Sequence, residues 1–153
     1  RPCEPVGMDA EREAEPDGPG TDAVDSDESA YDLLQRGAAL LAGRHHAQAA
    51  IVLERADRLE PAKASILEAL GRAYFNGGRH EAARDVFKRL LEIDPSAHYA
   101  HFALGQALKR LGEPDAAGTH LRLAVALSPE TALYRQALAR LGPNALPPGR
   151  REG

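Results

Sequence analysis

The chain has 153 residues, 43% hydrophobic and 27% charged, with a net charge of −4, the balance of a globular chain able to bury one core. Its single cysteine, Cys3, excludes an internal disulfide and a thiolate-held zinc. No run reaches the roughly 20 apolar residues of a membrane-crossing helix, and residues 1–7 lack the apolar stretch of a secretory signal, so a cytoplasmic protein is expected.

In chain order, residues 9–28 carry nine acidic side chains against one arginine, Arg12, while residues 29–153 carry 17 basic against 13 acidic. With Gly18, Pro19 and Gly20 and few apolar residues, segment 1–28 is expected to be a disordered acidic arm, serving either solubility or weak competition for a basic surface elsewhere on the chain. Met8 is the only methionine and the expected natural start. Arginine outnumbers lysine 16 to 3, a bias expected of a GC-rich bacterial genome.

From residue 29 onward the sequence repeats with a period of 34. Gly37, Gly71 and Gly105 keep that step, as do Ala49, Ala83 and Ala117, and Pro61, Pro95 and Pro129. Large apolar residues follow in register: Leu40, Tyr74 and Leu108; Leu53, Phe87 and Leu121; Leu59, Ile93 and Leu127. A fixed period of this length means stacked supersecondary units, none able to bury its apolar face alone.

Each unit reads as two antiparallel helices. Leu67, Leu70, Gly71 and Tyr74 share one helical face, Asn76-Gly77-Gly78 breaks the helix, and a second helix runs from about Arg79 to Ile93 before Asp94-Pro95 ends it. In the third unit Gly112 makes the turn and Pro114 falls in the first turn of the following helix. Gly71 with Ala83, and likewise Gly37 with Ala49 and Gly105 with Ala117, mark where paired helices approach most closely. Repeats are predicted at about 30–61, 64–95 and 98–129. A capping helix follows at about 130–141, with Ser128 as N-cap, Pro129 at its first position and Leu133, Ala137, Leu138 and Leu141 along it. Residues 142–153 are expected to form a disordered tail.

No nucleophile motif, phosphate-binding loop or dinucleotide fingerprint occurs, so neither catalysis nor a cofactor is expected. The histidine sets His45-His46 and His98/His101 each lack a third metal ligand. His101 shares a column with Leu33 and Leu67 and is read as a packing residue.

Leu70-Gly71, Tyr74, Ala83, Phe87 and Asp94-Pro95 resemble the tetratricopeptide repeat, and the first and third copies resemble it with leucines in place of aromatics. The resemblance spans about residues 29–129. It implies an all-α, right-handed α-solenoid whose first helices line a concave groove, acting as a non-catalytic protein-interaction module, an adaptor or assembly scaffold. Arg36 departs from the Leu70 and Leu104 column, which suits the exposed end of a repeat stack.

By the same resemblance the groove carries Tyr31, Leu34, Ala38, Leu41 and Ala42 from the first copy; Ser65, Glu68, Arg72, Phe75 and Asn76 from the second; and Tyr99, Phe102, Gln106, Lys109 and Arg110 from the third. Tyr31, Phe75, Tyr99 and Phe102 are expected as aromatic anchors beside arginine, with Tyr99 and Phe102 open to solvent. A protein or peptide partner is implied, with no membrane, for a monomer or weak homo-oligomer. Two alternatives stand beside it. A regulatory domain contacting nucleic acid or a nucleic-acid enzyme is disfavoured by a repeat body of only +4 next to an acidic arm. A chaperone-tail adaptor is disfavoured because Leu34 and Ala38 supply none of the charge such a clamp needs.

Overall fold

A computed structural model describes residues 27–142; the rest of the expected arm, 1–26, and the tail from 143 lie outside the described residues. Among the described residues there are seven helices and no strand. They are α1 (Ala30–Ala42), α2 (His46–Leu59), α3 (Ala64–Asn76), α4 (His80–Ile93), α5 (His98–Arg110), α6 (Pro114–Leu127) and α7 (Ala132–Leu141). Helices α1/α2, α3/α4 and α5/α6 are three helical hairpins stacked in an α-solenoid, and α7 packs against α6 as a cap.

The hairpin turns are made alike. The N–H groups of His45, Arg79 and Glu113 donate to the carbonyls of Leu40, Tyr74 and Leu108 at 2.8, 2.8 and 2.9 Å, closing each first helix with a six-residue loop. The residue before each donor has positive φ, satisfied by Gly78 (84°) and Gly112 (81°) but by Arg44 (65°) in the first hairpin. Ser29 and Asp32 form a reciprocal capping box at the start of α1, at 3.1 and 3.2 Å. Glu28, assigned by composition to the arm, pairs with Arg36 at 3.2 Å.

One apolar cluster runs through the stack from Ala49 to Ala117, joined at its N-terminal end by a smaller one of Ala30, Leu33, Val52, Ala56 and Ile66. The alanine column is fully buried. What fills the hollow over each repeat glycine is, however, the large residue sixteen positions on. A β-carbon at Gly71 would lie 2.5 Å from Cζ of Phe87, and one at Gly37 2.5 Å from Leu53 Cγ. At Gly105 the paired alanine presses in as well, through the Ala117 carbonyl at 3.2 Å.

The Leu59, Ile93 and Leu127 column stays largely outside the core, 56%, 42% and 42% exposed at helix ends. One expectation changes. Ser128 does not cap α7. It ends α6, and its buried hydroxyl contacts Glu130 Oε2 at 2.9 Å and Thr131 Oγ1 at 2.7 Å, so the helix starts two residues later than predicted, after Thr131. That later start turns Tyr134 and Ala137 inward and leaves Leu133 exposed.

Candidate functional site

The first helices α1, α3 and α5 succeed one another along one side of the stack, and between α3 and α5 that side opens into a cavity of about 290 Å³. Arg72, Phe75 and Asn76 line it from α3, Phe87 from α4, and Tyr99, Phe102, Ala103 and Gln106 from α5. Six of these residues are ones the sequence assigned to the groove. Their periods explain the meeting: on α3 and α5, residues three and four apart share a helical face.

The floor is aromatic. Phe87 meets Tyr99 edge-on with ring centroids 6.3 Å apart, Tyr99 lies 6.0 Å from Phe102, and Phe102 stacks on Tyr134 of the cap at 5.0 Å and 28°. Tyr134 is itself held by His98, whose Nδ1 lies 2.9 Å from its hydroxyl. The expectation that Tyr99 and Phe102 stand open to solvent therefore fails: both are half-buried, because the cap and the Phe87 ring cover their far sides. Burial pushes the Tyr99 hydroxyl pKa up, Arg72 opposes that shift and Glu68 adds to it. Burial likewise raises Tyr134, with Glu68 as the second cause, so Glu68 sits in the field of both hydroxyls.

The rim is polar and mainly cationic. Arg72 and Asn76 are exposed at the mouth, and the exposed Arg110 guanidinium lies 5.5 Å from the Phe75 ring centre, within cation–π range; Lys109 is exposed but does not line the cavity. Phe75 also packs against His80 at 5.0 Å.

The remaining groove candidates do not join this cavity. Tyr31 is 68% exposed on α1, Leu34 and Leu41 are half-buried and pack against the core, and Ala38, Ala42 and Ser65 are exposed away from it. Phe87, Ala103 and Tyr134 were not anticipated there. Phe87 was legible as an apolar-stripe residue, and the ring that fills the hollow over Gly71 also lines the cavity.

The histidines do not form the sets their spacing suggested. His98 turns to Tyr134, whereas His101 is buried and contacts His120, with Nδ1 atoms 3.1 Å apart. Among the described residues no three His, Cys, Asp or Glu side chains are placed to hold a metal, and no helix is long and apolar enough to cross a membrane.

Two family patterns match the chain: TPR repeat over residues 71–112, and tetratricopeptide repeat over residues 100–141. The fold is that of the tetratricopeptide-repeat solenoids. The first TPR of Spaghetti (RPAP3) bound to an HSP90 peptide superposes with a TM-score of 0.71 at 16% identity, over 74% of this chain and 90% of that one. The Arabidopsis OM64 TPR domain gives 0.71 at 21% identity, over 73% and 93%. YrrB, described as a TPR protein with an unusual peptide-binding site, gives 0.69 at 22% identity, over 72% and 57%. None of the curated proteins matches the chain by sequence.

Proposed function

We propose that this tetratricopeptide-repeat solenoid is a non-catalytic interaction module that takes a peptide or helix of a partner protein along its concave side. The observation that carries this reading is the aromatic cavity with its polar and cationic mouth: an apolar floor fits one large side chain, and Arg72, Asn76, Gln106 and Arg110 offer donors to the adjoining main chain and carboxylates. Two solved relatives of the same fold are described with a bound HSP90 peptide and with a peptide-binding site, which supports protein binding as the general mode.

The partner favoured by this chemistry is a segment with one aromatic or branched aliphatic residue flanked by acidic ones. A chaperone-tail adaptor is less well supported, because Leu34 and Ala38 bring no charge to the first repeat's part of the groove. Nucleic acid is less well supported too, since Glu68 interrupts the cations and the repeat body carries little net positive charge.

Because Phe102 stacks on the cap and Tyr99 packs on Phe87 and Phe102, their truncation mixes folding with binding. The cleaner test displays random peptides to the full chain, selects binders, and measures their affinity for Asn76→Ala and Gln106→Ala, side chains at the mouth that anchor no other element. Selected peptides should share an apolar residue beside acidic ones and lose roughly tenfold in affinity, about 1.4 kcal/mol, for each variant. Unchanged affinity in both variants would place the interface elsewhere.

A further inference from the structure

In the first two repeats the column four residues before the repeat glycine holds Leu33 and Leu67, and the column fifteen after it holds Val52 and Val86, all buried. In the third repeat the same two columns hold His101 and His120. The rings lie nearly parallel, 22° apart with centroids at 5.4 Å, and bridge α5 to α6 where the other hairpins use an aliphatic pair.

The hydrogen bonds fix where the protons are. His101 Nε2 lies 2.9 Å from the Pro95 carbonyl oxygen, which only accepts, so Nε2 carries hydrogen. In the neutral ring Nδ1 is then a lone pair, and its 3.1 Å contact with His120 Nδ1 requires that His120 be the donor. His101 is thus the Nε2–H tautomer and His120 the Nδ1–H tautomer. A first added proton can go to His120 Nε2 and leave this chain intact. A second has only His101 Nδ1 to go to, where N–H would face N–H and two positive rings would lie in contact inside the hairpin.

We propose that the His101–His120 pair is an acid-sensitive latch between α5 and α6, which holds the third repeat shut while it carries at most one extra proton and releases it when both rings are charged. The neighbouring charge that bears on His120, Lys88 of α4, is also cationic and opposes protonation alongside burial and His101. His120 is accordingly shifted down, burial being the larger cause. The sign follows: a histidine depressed in the folded state contributes stability that is present above its unfolded pKa, about 6.5, and is lost as pH falls through the folded value. Tyr99 and Phe102 ride on the same helix as His101, so release of the latch loosens the cavity floor. The test below involves no ligand, so it stands or falls apart from the binding reading.

Long-range proton–nitrogen spectra of the histidine-labelled full chain at pH 7.5 should show His101 with hydrogen on Nε2 and His120 with hydrogen on Nδ1. Melting temperatures are then compared at pH 7.5 and 5.0 for the wild type and for His101→Leu/His120→Val, which restores the residues of the other repeats. The wild type should lose about 5 °C more than the double variant over that interval, other histidines contributing equally to both. Should the double variant not fold, His120→Asn, whose amide keeps a donor toward His101 and does not titrate, replaces it with the same expected difference. An Nε2–H tautomer at His120, or equal losses on acidification, overturns the latch.

Discussion

Across the seam between the first and second repeats, Arg89 reaches Asp57 with two parallel hydrogen bonds of 2.9 and 3.0 Å, and the Tyr74 hydroxyl donates to Glu54 at 2.5 Å beneath the Arg79 guanidinium. One period on, the same columns hold Leu91 and Leu123 in place of the ion pair and Lys88, Leu108 and Glu113 in place of the tyrosine network. That second seam instead holds the cavity lined by Phe75, Phe87, Tyr99 and Phe102. Both seams pack the second helix of one hairpin against the first helix of the next, so the stack does not depend on either chemistry. Glycine, alanine and the buried leucines set the geometry, and the remaining columns are free to differ, which is how one seam becomes a polar tie and the other a cavity.

The largest effect should come from breaking what the seams share. Gly71→Leu drives a side chain into the fully buried Phe87 ring, which lies 2.5 to 2.8 Å from where even a β-carbon would sit. Loss of about 3 kcal/mol is expected from urea unfolding. Gly105→Ala should cost less than Gly71→Ala, because the nearest atom is then Leu121 Cγ at 2.9 Å on an aliphatic side chain and the Ala117 carbonyl stands off at 3.2 Å, against 2.5 Å for the Phe87 ring. Equal costs would mean that the ring has room to move.

Exchanging the chemistry of the seams is the next step down. Asp57→Leu or Arg89→Leu alone leaves a charge without its partner and should cost about 1 kcal/mol, while the double variant, which copies the second seam, should recover most of it. The single-variant losses should shrink in high salt. A double variant as unstable as the sum of the singles would show that the pair is not the tie.

Tyr74 sharpens the same contrast at alkaline pH. Burial first, and then the hydrogen bond to Glu54, push its hydroxyl up to about 12. A raised acid is favoured in its protonated form by folding, so this contribution is complete below pH about 10 and is lost as pH rises through the folded value. Tyr99 and Tyr134 are raised as well, so phenolate absorbance should show several late-ionising tyrosines, of which Tyr74→Phe removes the one near pH about 12.

How much of this was legible follows from what a period carries. A column assigns a residue to a face, so the helices, the turns at Gly78 and Gly112 and six cavity residues could be read from the 34-residue step. It does not say whether a face has a neighbour. Tyr31 shares its column with Tyr99, but α1 has no described hairpin before it and Tyr31 is exposed. The cap follows no repeat, and a two-residue error in its start exchanged Leu133 for Tyr134 as the inward residue, hiding the ring that stacks on Phe102. The histidine pair joins two columns nineteen residues apart whose contact is aliphatic elsewhere, so only the fold brings it to notice.

The smallest predicted effect compares the two linkers between hairpins. In the second, Asp94 Oδ1 accepts from the Ser96 N–H and hydroxyl at 3.1 and 2.8 Å, a side-chain turn that holds the chain in ordinary backbone space. The first linker has glutamate in place of that aspartate, too long to close the same turn, and there Ala62 takes φ of 66°. A left-handed alanine costs about 1 kcal/mol, partly offset in any glycine replacement by the greater freedom of the unfolded chain. Ala62→Gly should therefore stabilise by about 0.5 kcal/mol, whereas Ser96→Gly, which loses a hydroxyl bond and gains unfolded-state freedom, should destabilise by about as much. Opposite signs at matching columns, read from urea midpoints with unchanged slopes, are the expected outcome. The same sign at both would mean that the two linkers are held by something other than Asp94.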